Sequence, residues 1–264
     1  MRAIDFTGRL VVVTGASSGL GREIARCLAL REGAHLVITA RRRDRLESLK
    51  AELESRCASR VHVVVLDLAT TDGPESLFRA ASAIGEVFGL VNCAGITFYG
   101  RSLEAPMEQS LQIVAVNQVA VMKLTMLFLE AFLQRGSGAI LCITSVAAFQ
   151  PTPFQNVYSA TKHAIRSFMA GLAREYRRKG VSFSTFAPGG MATEMITLSG
   201  MDRKHGMSSP FNMDPALAAR KALSTFKRRR LYSVPGVIYK TVMFLFRLAP
   251  RKVISWALSR IYEP

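Results

Sequence analysis

Two hydrophobic rhythms alternate along this chain. Short runs rich in apolar residues, the first of them largely β-branched, recur at Arg9–Thr14, His35–Thr39, Val61–Leu66, Phe88–Val91, Ala139–Thr144 and Val181–Ala187. A continuous apolar run such as Leu10–Val13, rather than apolar residues at every second position, predicts a buried strand. Between them apolar residues return at helical spacing, as at Leu20, Ile24, Cys27 and Leu28, and again through a long stretch over Met107–Leu133. Strand and helix follow each other without a break, which predicts an α/β fold with a doubly wound parallel sheet flanked by helices. The length of 264 residues suits one such domain with an extensive core. We place that domain at residues 1–235 and treat 236–264 as a basic, amphipathic helical extension of it.

Glycines follow the first strand at once, in Gly15-Ala16-Ser17-Ser18-Gly19-Leu20-Gly21, and a helix pattern follows them. Strand, glycine turn and helix form the context of a dinucleotide site. Glycine lets backbone turn tightly and approach a pyrophosphate, and the helix N-terminus presents amides to it. The second strand runs into Arg41-Arg42-Arg43, with no carboxylate before Asp44. A site for NAD would place an acidic residue there for the ribose hydroxyls. Arg41 instead suits a 2′-phosphate, which a guanidinium fork matches well. A cationic first turn also opposes the helix dipole, so an anionic partner explains it. The expected cofactor is therefore NADP(H). Asp67-Leu68 closes the third strand, where Asp67 either bonds an adenine amino group or is a plain capping aspartate. The fourth leads into Asn92-Cys93-Ala94-Gly95, small residues that let backbone lie against a cofactor.

The sharpest chemical pattern is Tyr158-Ser159-Ala160-Thr161-Lys162. On a helix these ends stack on one face. A free phenol, with a pKa near ~10, is a poor acid or base at neutral pH. A cation about 4 Å away, at an effective dielectric near 20, favours the phenolate by roughly 4 kcal/mol. That brings the phenol to about 7, where proton transfer works best.

In their order and spacing these residues resemble the short-chain dehydrogenases/reductases along about residues 7–235. The matching positions are Thr14-Gly15-x-x-x-Gly19-x-Gly21, Asp67, Asn92-Cys93-Ala94-Gly95, Asn117, Ser145, Tyr158-x-x-x-Lys162 and Pro188-Gly189 followed by Thr193. Ser145 precedes Tyr158 by thirteen residues. Cys93 departs from the family's usual second asparagine and is a tolerable small residue at a buried turn. The resemblance implies a Rossmann-type fold and four catalytic residues. Tyr158 would be the general acid in carbonyl reduction, and Ser145 would hold the substrate oxygen. Lys162 would bind the nicotinamide ribose and lower the Tyr158 pKa. Asn117 would anchor a water that relays protons to Lys162. Cofactor contacts are expected from Gly15, Ser17, Ser18, Gly19, Leu20 and Gly21, then from Arg41, Arg42, Asp67 and Leu68. Asn92, Ala94 and Gly95, Tyr158 and Lys162, and Pro188, Gly189 and Thr193 complete the expected set, the last three at the nicotinamide. The resemblance also implies a homo-oligomer, either dimer or tetramer.

Charge adds a second theme. The net formal charge is +16, and residues 217–264 hold eleven basic residues against Glu263 alone. The same segment is apolar at Val237-Ile238-Tyr239, Val242–Phe246 and Val253–Leu258. A spanning helix needs about 20 apolar residues, and Lys240, Arg247 and Pro250-Arg251-Lys252 interrupt the tail. Short amphipathic helices with basic edges and a Trp suit an anionic membrane interface; packing against the core or a second subunit is the competing expectation. No motif for reading a nucleic-acid groove accompanies the charge, so nucleic acid is not expected. Cys27, Cys57, Cys93 and Cys142 form neither a disulfide framework nor a metal-ligand pattern. That suits a reducing, cytoplasmic setting with peripheral membrane attachment, and no metal is expected. Met191, Met195, Met201, Met207 and Met213 lie on or beside the loop after the sixth strand, an adaptable apolar wall for a lipid-like ketone. The expected activity is NADPH-dependent reduction of such a carbonyl; the alternative is a protein that binds NADPH as a scaffold or sensor without turnover.

Overall fold

The computed structural model describes residues 3–191, 193–199, 212–236, 239–241, 244 and 251–263. Met201, Met207 and much of the apolar tail, including Val237-Ile238, Val242-Met243 and Leu245-Phe246, lie outside the described residues.

The apolar runs form the strands β1 (Leu10–Thr14), β2 (His35–Ala40), β3 (Val61–Val65), β4 (Val87–Asn92), β5 (Gly138–Ile143) and β6 (Val181–Phe186), with a two-residue β7 at Tyr232–Ser233. They pair in the order β3-β2-β1-β4-β5-β6-β7, and every pairing is parallel. Chain order reverses between β1 and β4, so the crevice that such sheets use for ligands opens beyond the C-terminal ends of those two strands. β1, β4 and β5 are buried along their whole length, as parallel strands covered on both faces must be.

One face of the sheet is covered by α1 (Gly19–Glu32), α2 (Arg43–Glu54) and α8 (Pro215–Lys227). Ile24, Leu28, Leu46, Leu49, Leu53, Leu223 and Phe226 supply its core. The other face carries α3 (Gly73–Ile84), α5 (Ala120–Gln134) and α6 (Asn156–Glu175), through Leu77, Leu124, Phe128, Phe132, Ile165 and Met169. Each fully buried large apolar side chain contributes roughly 1.5–3 kcal/mol. The stretch Met107–Gln134 is long and apolar enough to cross a membrane by composition, but one face of it packs into this layer through Leu124, Phe128 and Phe132.

That stretch departs from the uniform helix its pattern predicts. A π turn at Ala115–Val119 separates α4 (Met107–Val114) from α5. Asn117 sits in the turn with its side chain bonded to the backbone of Ile96 on the neighbouring loop. Single π turns inside helices concentrate at functional sites. After β6, a short α7 (Glu194–Leu198) precedes α8. The terminal α9 (Arg251–Tyr262) buries Ile254 and Leu258, one turn apart, and leaves Trp256 exposed.

Candidate functional site

The crevice at the strand reversal is a cavity of about 510 Å3. Its floor comes from local chain geometry. Gly15 and Gly19 adopt φ of +70° and +53°, a region that favours glycine. A Cβ on Gly15 would lie 2.8 Å from the Ala94 Cα, and one on Gly21 would collide with the Gly15 carbonyl oxygen. Thr14 locks this floor: its hydroxyl accepts the Cys93 N–H at 2.9 Å and the Ala94 N–H at 3.0 Å, and faces the Val91 carbonyl oxygen at 3.3 Å. Sequence reasoning counted Thr14 as a motif position without giving it this task. At Gly15 and Gly21 the floor is thus bare backbone, with the Thr193 side chain approaching it only at Gly19, which fits the pyrophosphate of a dinucleotide at the N-terminus of α1.

The structure brings Gly15, Ser17, Ser18, Gly19, Leu20, Gly21, Arg41, Arg42, Asp67, Leu68, Ala94, Gly95, Ser145, Tyr158, Lys162, Pro188, Gly189 and Thr193 to the wall of this one cavity. Two expected residues stand behind it. Asn92 turns away from the crevice, donating to the Thr125 hydroxyl at 3.1 Å and pointing at the Cys142 Sγ at 3.5 Å. As the last residue of β4, its side chain follows the strand's alternation toward α5, so it braces the cofactor loop from behind. Asn117 is fully buried. Its Nδ2 donates to the Ile96 carbonyl oxygen at 2.8 Å and its Oδ1 accepts the Ile96 N–H at 2.9 Å. That amide is committed to holding the loop after Gly95, and its Nδ2 also lies 3.4 Å from the Thr161 hydroxyl.

At the reacting end, α6 carries Tyr158 and Lys162 on one face, with the Lys162 Nζ 5.5 Å from the centre of the Tyr158 ring. Nζ donates to the Ile143 carbonyl oxygen at 3.1 Å, at the end of β5. Burial pulls the Lys162 pKa from 10.5 down to about 8. The spacing argument assumed a permanent ammonium; in the fold that charge is costly, and an anion beside it would restore it. Ser145 caps a short 3-10 turn at Val146–Ala148, its Oγ accepting the Ala147 N–H at 3.2 Å. Cys93 is inert here, because burial pushes its thiol up to about 12. His163, adjacent to the lysine, bonds the Ser159 carbonyl oxygen of its own helix.

The opposite end is charged and partly exposed. Arg41 faces the Asp67 carboxylate at 3.7 Å, while Asp67 also accepts the Ala69 N–H at 2.9 Å. Asp67 thus closes a local turn and lines the crevice, while the next helix takes Asp72 as its N-cap. Arg42 donates through Nη2 to the Ser17 and Ser18 hydroxyls at 3.0 and 2.9 Å, and through Nη1 to the Glu194 carboxylate at 2.8 Å. Arg45 grips the other oxygen of Glu194. These two guanidiniums hold the Glu194 carboxyl below its ordinary value. Glu194 was not among the expected site residues, and no local motif marks it, since 149 residues separate it from Arg45.

Between the ends, Ile113, Val116, Met191, Met195, Ile196 and Leu198 supply an apolar part of the wall, with Thr97, Gln109, Gln112 and Gln155 also lining the cavity. The loop that carries Met191, Met195, Ile196 and Leu198 is pinned at both of its described ends. The Met213 N–H donates to the Gly190 carbonyl oxygen at 2.9 Å, and the Gly190 N–H donates to the Tyr239 hydroxyl at 3.1 Å. Tyr239 covers Gly189 so closely that a Cβ there would collide with the ring. A residue of the C-terminal extension thus helps to seat the loop expected at the nicotinamide.

Comparison with known proteins agrees with this geometry. The family model for short chain dehydrogenases matches residues 9–204. Dehydrogenase/reductase SDR family member 7B of Bos taurus is 33% identical over 268 residues, covering 95% of this chain and 81% of the relative. The very-long-chain 3-oxoacyl-CoA reductase of Anas platyrhynchos is 31% identical over 73% of this chain and 62% of its own length. Glycine betaine reductase ATRR of Emericella nidulans is 36% identical over 196 residues, and the chain spans only 15% of that longer protein. Among solved structures, a short-chain dehydrogenase from Sphingobium yanoikuyae in complex with NADPH superposes with a TM-score of 0.83 at 28% identity, covering 94% of this chain and 95% of that one.

Proposed function

Because the chain belongs to the short chain dehydrogenase family of oxidoreductases, we propose that it reduces the carbonyl of an apolar, lipid-like ketone to an alcohol with NADPH. One observation carries this reading: the Tyr158 ring lies 5.5 Å from the buried Nζ of Lys162, in the same cavity as Ser145 and the glycine turn. A nicotinamide dinucleotide, when bound, supplies the hydride. The protein supplies position and a proton. Gly15, Gly19 and Gly21 would take the pyrophosphate against bare backbone, and Pro188, Gly189 and Thr193 would face the nicotinamide. Ser145 would hold the substrate oxygen within reach of the Tyr158 hydroxyl. Tyr158 would release its proton to that oxygen as negative charge develops on it, and Lys162 would favour the phenolate left behind. Lys162 alone would serve a binder too, since it would hold the nicotinamide ribose, but a protein that only binds a nucleotide needs no Ser145 and Tyr158 beside it in the same cavity. This supports turnover over a scaffold or sensor role.

The preference for NADPH is supported by Arg41 and Arg42 at the end of β2, where a 2′-phosphate would sit, and by the NADPH bound to the Sphingobium relative. The substrate class is supported by the apolar wall of Ile113, Val116, Met195 and Leu198 and by the name of the 3-oxoacyl-CoA reductase it resembles. A seat on anionic membrane is supported by exposed Trp256 and Phe244, with exposed Lys240, Lys252 and Arg260 nearby in the chain. Exposed Met107, Leu111, Val119 and Met126 on the α4–α5 stretch support self-association, which light scattering would measure. The deciding assay is NADPH consumption against a panel of ketones, including long-chain 3-oxoacyl and steroid-like ketones in detergent, with NADH in parallel. Oxidation of NADPH by the lipid ketones is the expected result. Tight NADPH binding with no turnover on any ketone would instead make the protein a binder.

A further inference from the structure

Glu194 carries a role that neither the motif nor the fold announces. It opens α7, yet its carboxylate leaves that loop and reaches the start of α2. There one oxygen meets Arg42 at 2.8 Å and the other is gripped by Arg45. Arg42 is at once bonded to the Ser17 and Ser18 hydroxyls, at 3.0 and 2.9 Å. These serines belong to the glycine turn, and Arg42 to the end of β2. The 2′ position of a bound adenine ribose must fall between these two elements. Every cation at this place already has a carboxylate: Arg41 has Asp67 at 3.7 Å, while Arg42 and Arg45 share Glu194. Three positive charges therefore face two negative ones before any cofactor arrives.

We propose that Glu194 is a specificity-determining residue that acts as an internal stand-in for the 2′-phosphate. Its carboxylate occupies the guanidinium face of Arg42 that the phosphate of NADPH would use. The two anions compete for that face, and NADPH binds only as Glu194 gives it up. NADH carries no anion at this position and leaves Glu194 in place. Glu194 thereby narrows the advantage that Arg41 and Arg42 give to NADPH. It also ties cofactor choice to α7, whose Ile196 and Leu198 line the apolar part of the cavity. This inference rests on the NADPH reading above.

The test is Glu194→Gln, with Glu47→Gln as a control for overall charge, since Glu47 pairs with Arg43, at 3.8 Å, on the exposed surface of α2. Dissociation constants for NADPH, NADH, adenosine 2′-monophosphate and adenosine 5′-monophosphate are measured by calorimetry, with no turnover required. Glu194→Gln should bind NADPH and adenosine 2′-monophosphate about tenfold more tightly, the lower end of one charge-assisted hydrogen bond. NADH and adenosine 5′-monophosphate should change less than about twofold, and the control should leave all four near native values. Weaker binding of both dinucleotides would show that Glu194 straps the crevice shut over either one, and would overturn the proposal. Unchanged NADPH affinity would overturn it too. If the native protein itself binds adenosine 2′-monophosphate no better than the 5′ isomer, the NADPH reading fails along with the inference. A native preference that survives in an unaltered Glu194→Gln variant sinks the inference alone.

Discussion

The two ends of the crevice use charge in opposite ways. At the reacting end a single cation, Lys162, is 6% exposed and bonded to one carbonyl oxygen. At the adenosine end Arg41, Arg42, Arg45, Asp67 and Glu194 form two ion-paired groups whose side chains are between 35% and 60% exposed. A buried charge is expensive and strongly felt by its neighbours. Exposed ion pairs are individually worth little and exchange partners readily. Chemistry needs the first kind of site, and selection among similar cofactors needs the second.

The largest consequence is thermodynamic. Lys162 falls from 10.5 to about 8 on folding, which corresponds to about 3 kcal/mol at 1.36 kcal/mol per pH unit. Below pH 8 both folded and unfolded chains carry the proton, and the folded state bears the full penalty. As pH rises from 8 to 10.5 the unfolded chain alone holds the proton, so the native protein becomes harder to unfold. Denaturant titrations should show the native protein gaining about 3 kcal/mol on Lys162→Met across that window. A constant difference between the two would mean that Lys162 is solvated after all.

Next in size is the effect at Tyr158, the proposed proton donor. Tyr158→Phe removes one hydroxyl and keeps the ring that packs near Lys162. Turnover should fall at least ~100-fold, the low end for general acid catalysis, with NADPH affinity nearly unchanged. Turnover close to native would remove Tyr158 from the mechanism. Substitutions at the adenosine end should do the reverse. For Arg41→Ala, loss of one charge-assisted bond should weaken NADPH by roughly 10-fold or more, leave NADH alone, and spare turnover at saturating cofactor. Equal losses for both cofactors would reduce Arg41 to a surface charge that only meets Asp67.

The smallest effect should come from the tail, where charge is most exposed. Not all of its basic cluster faces solvent: Lys227 pairs with Glu32 at 2.6 Å, and the Nε of Arg229 is buried. Lys240 and Lys252 are exposed. Each should contribute about 1 kcal/mol to binding on anionic vesicles, so Lys240→Gln or Lys252→Gln should release protein about fivefold more readily. The native protein should also come off as salt rises. Sedimentation that ignores both substitution and salt would assign α9 and its neighbours to packing or subunit contact.

Much of this molecule was legible in the chain itself. The apolar runs became the strands of the parallel sheet. The glycine turn was legible because Gly15 and Gly19 need positive φ, and Gly21 needs a missing Cβ, wherever they occur. Tyr158 and Lys162 were legible because four residues of helix always return to the same face. These are local properties, set by backbone sterics and by the repeat of one element. Other features depend on which elements meet. Asn92 and Asn117 matched the pattern equally well, yet tertiary packing turned both amides away from the cavity, onto Thr125 and the backbone of Ile96. The π turn at Ala115–Val119 left no trace in the apolar spacing of Met107–Leu133. Burial decided that Lys162 titrates near 8 and not as a fixed ammonium. Tyr239 reached Gly190, and Glu194 reached Arg42 and Arg45, across spans that no short-range rule connects. Local sterics and periodicity act within a few residues and can be read from the order of amino acids. Desolvation and long-range pairing depend on what surrounds a group in three dimensions, and only the packed fold supplies those surroundings.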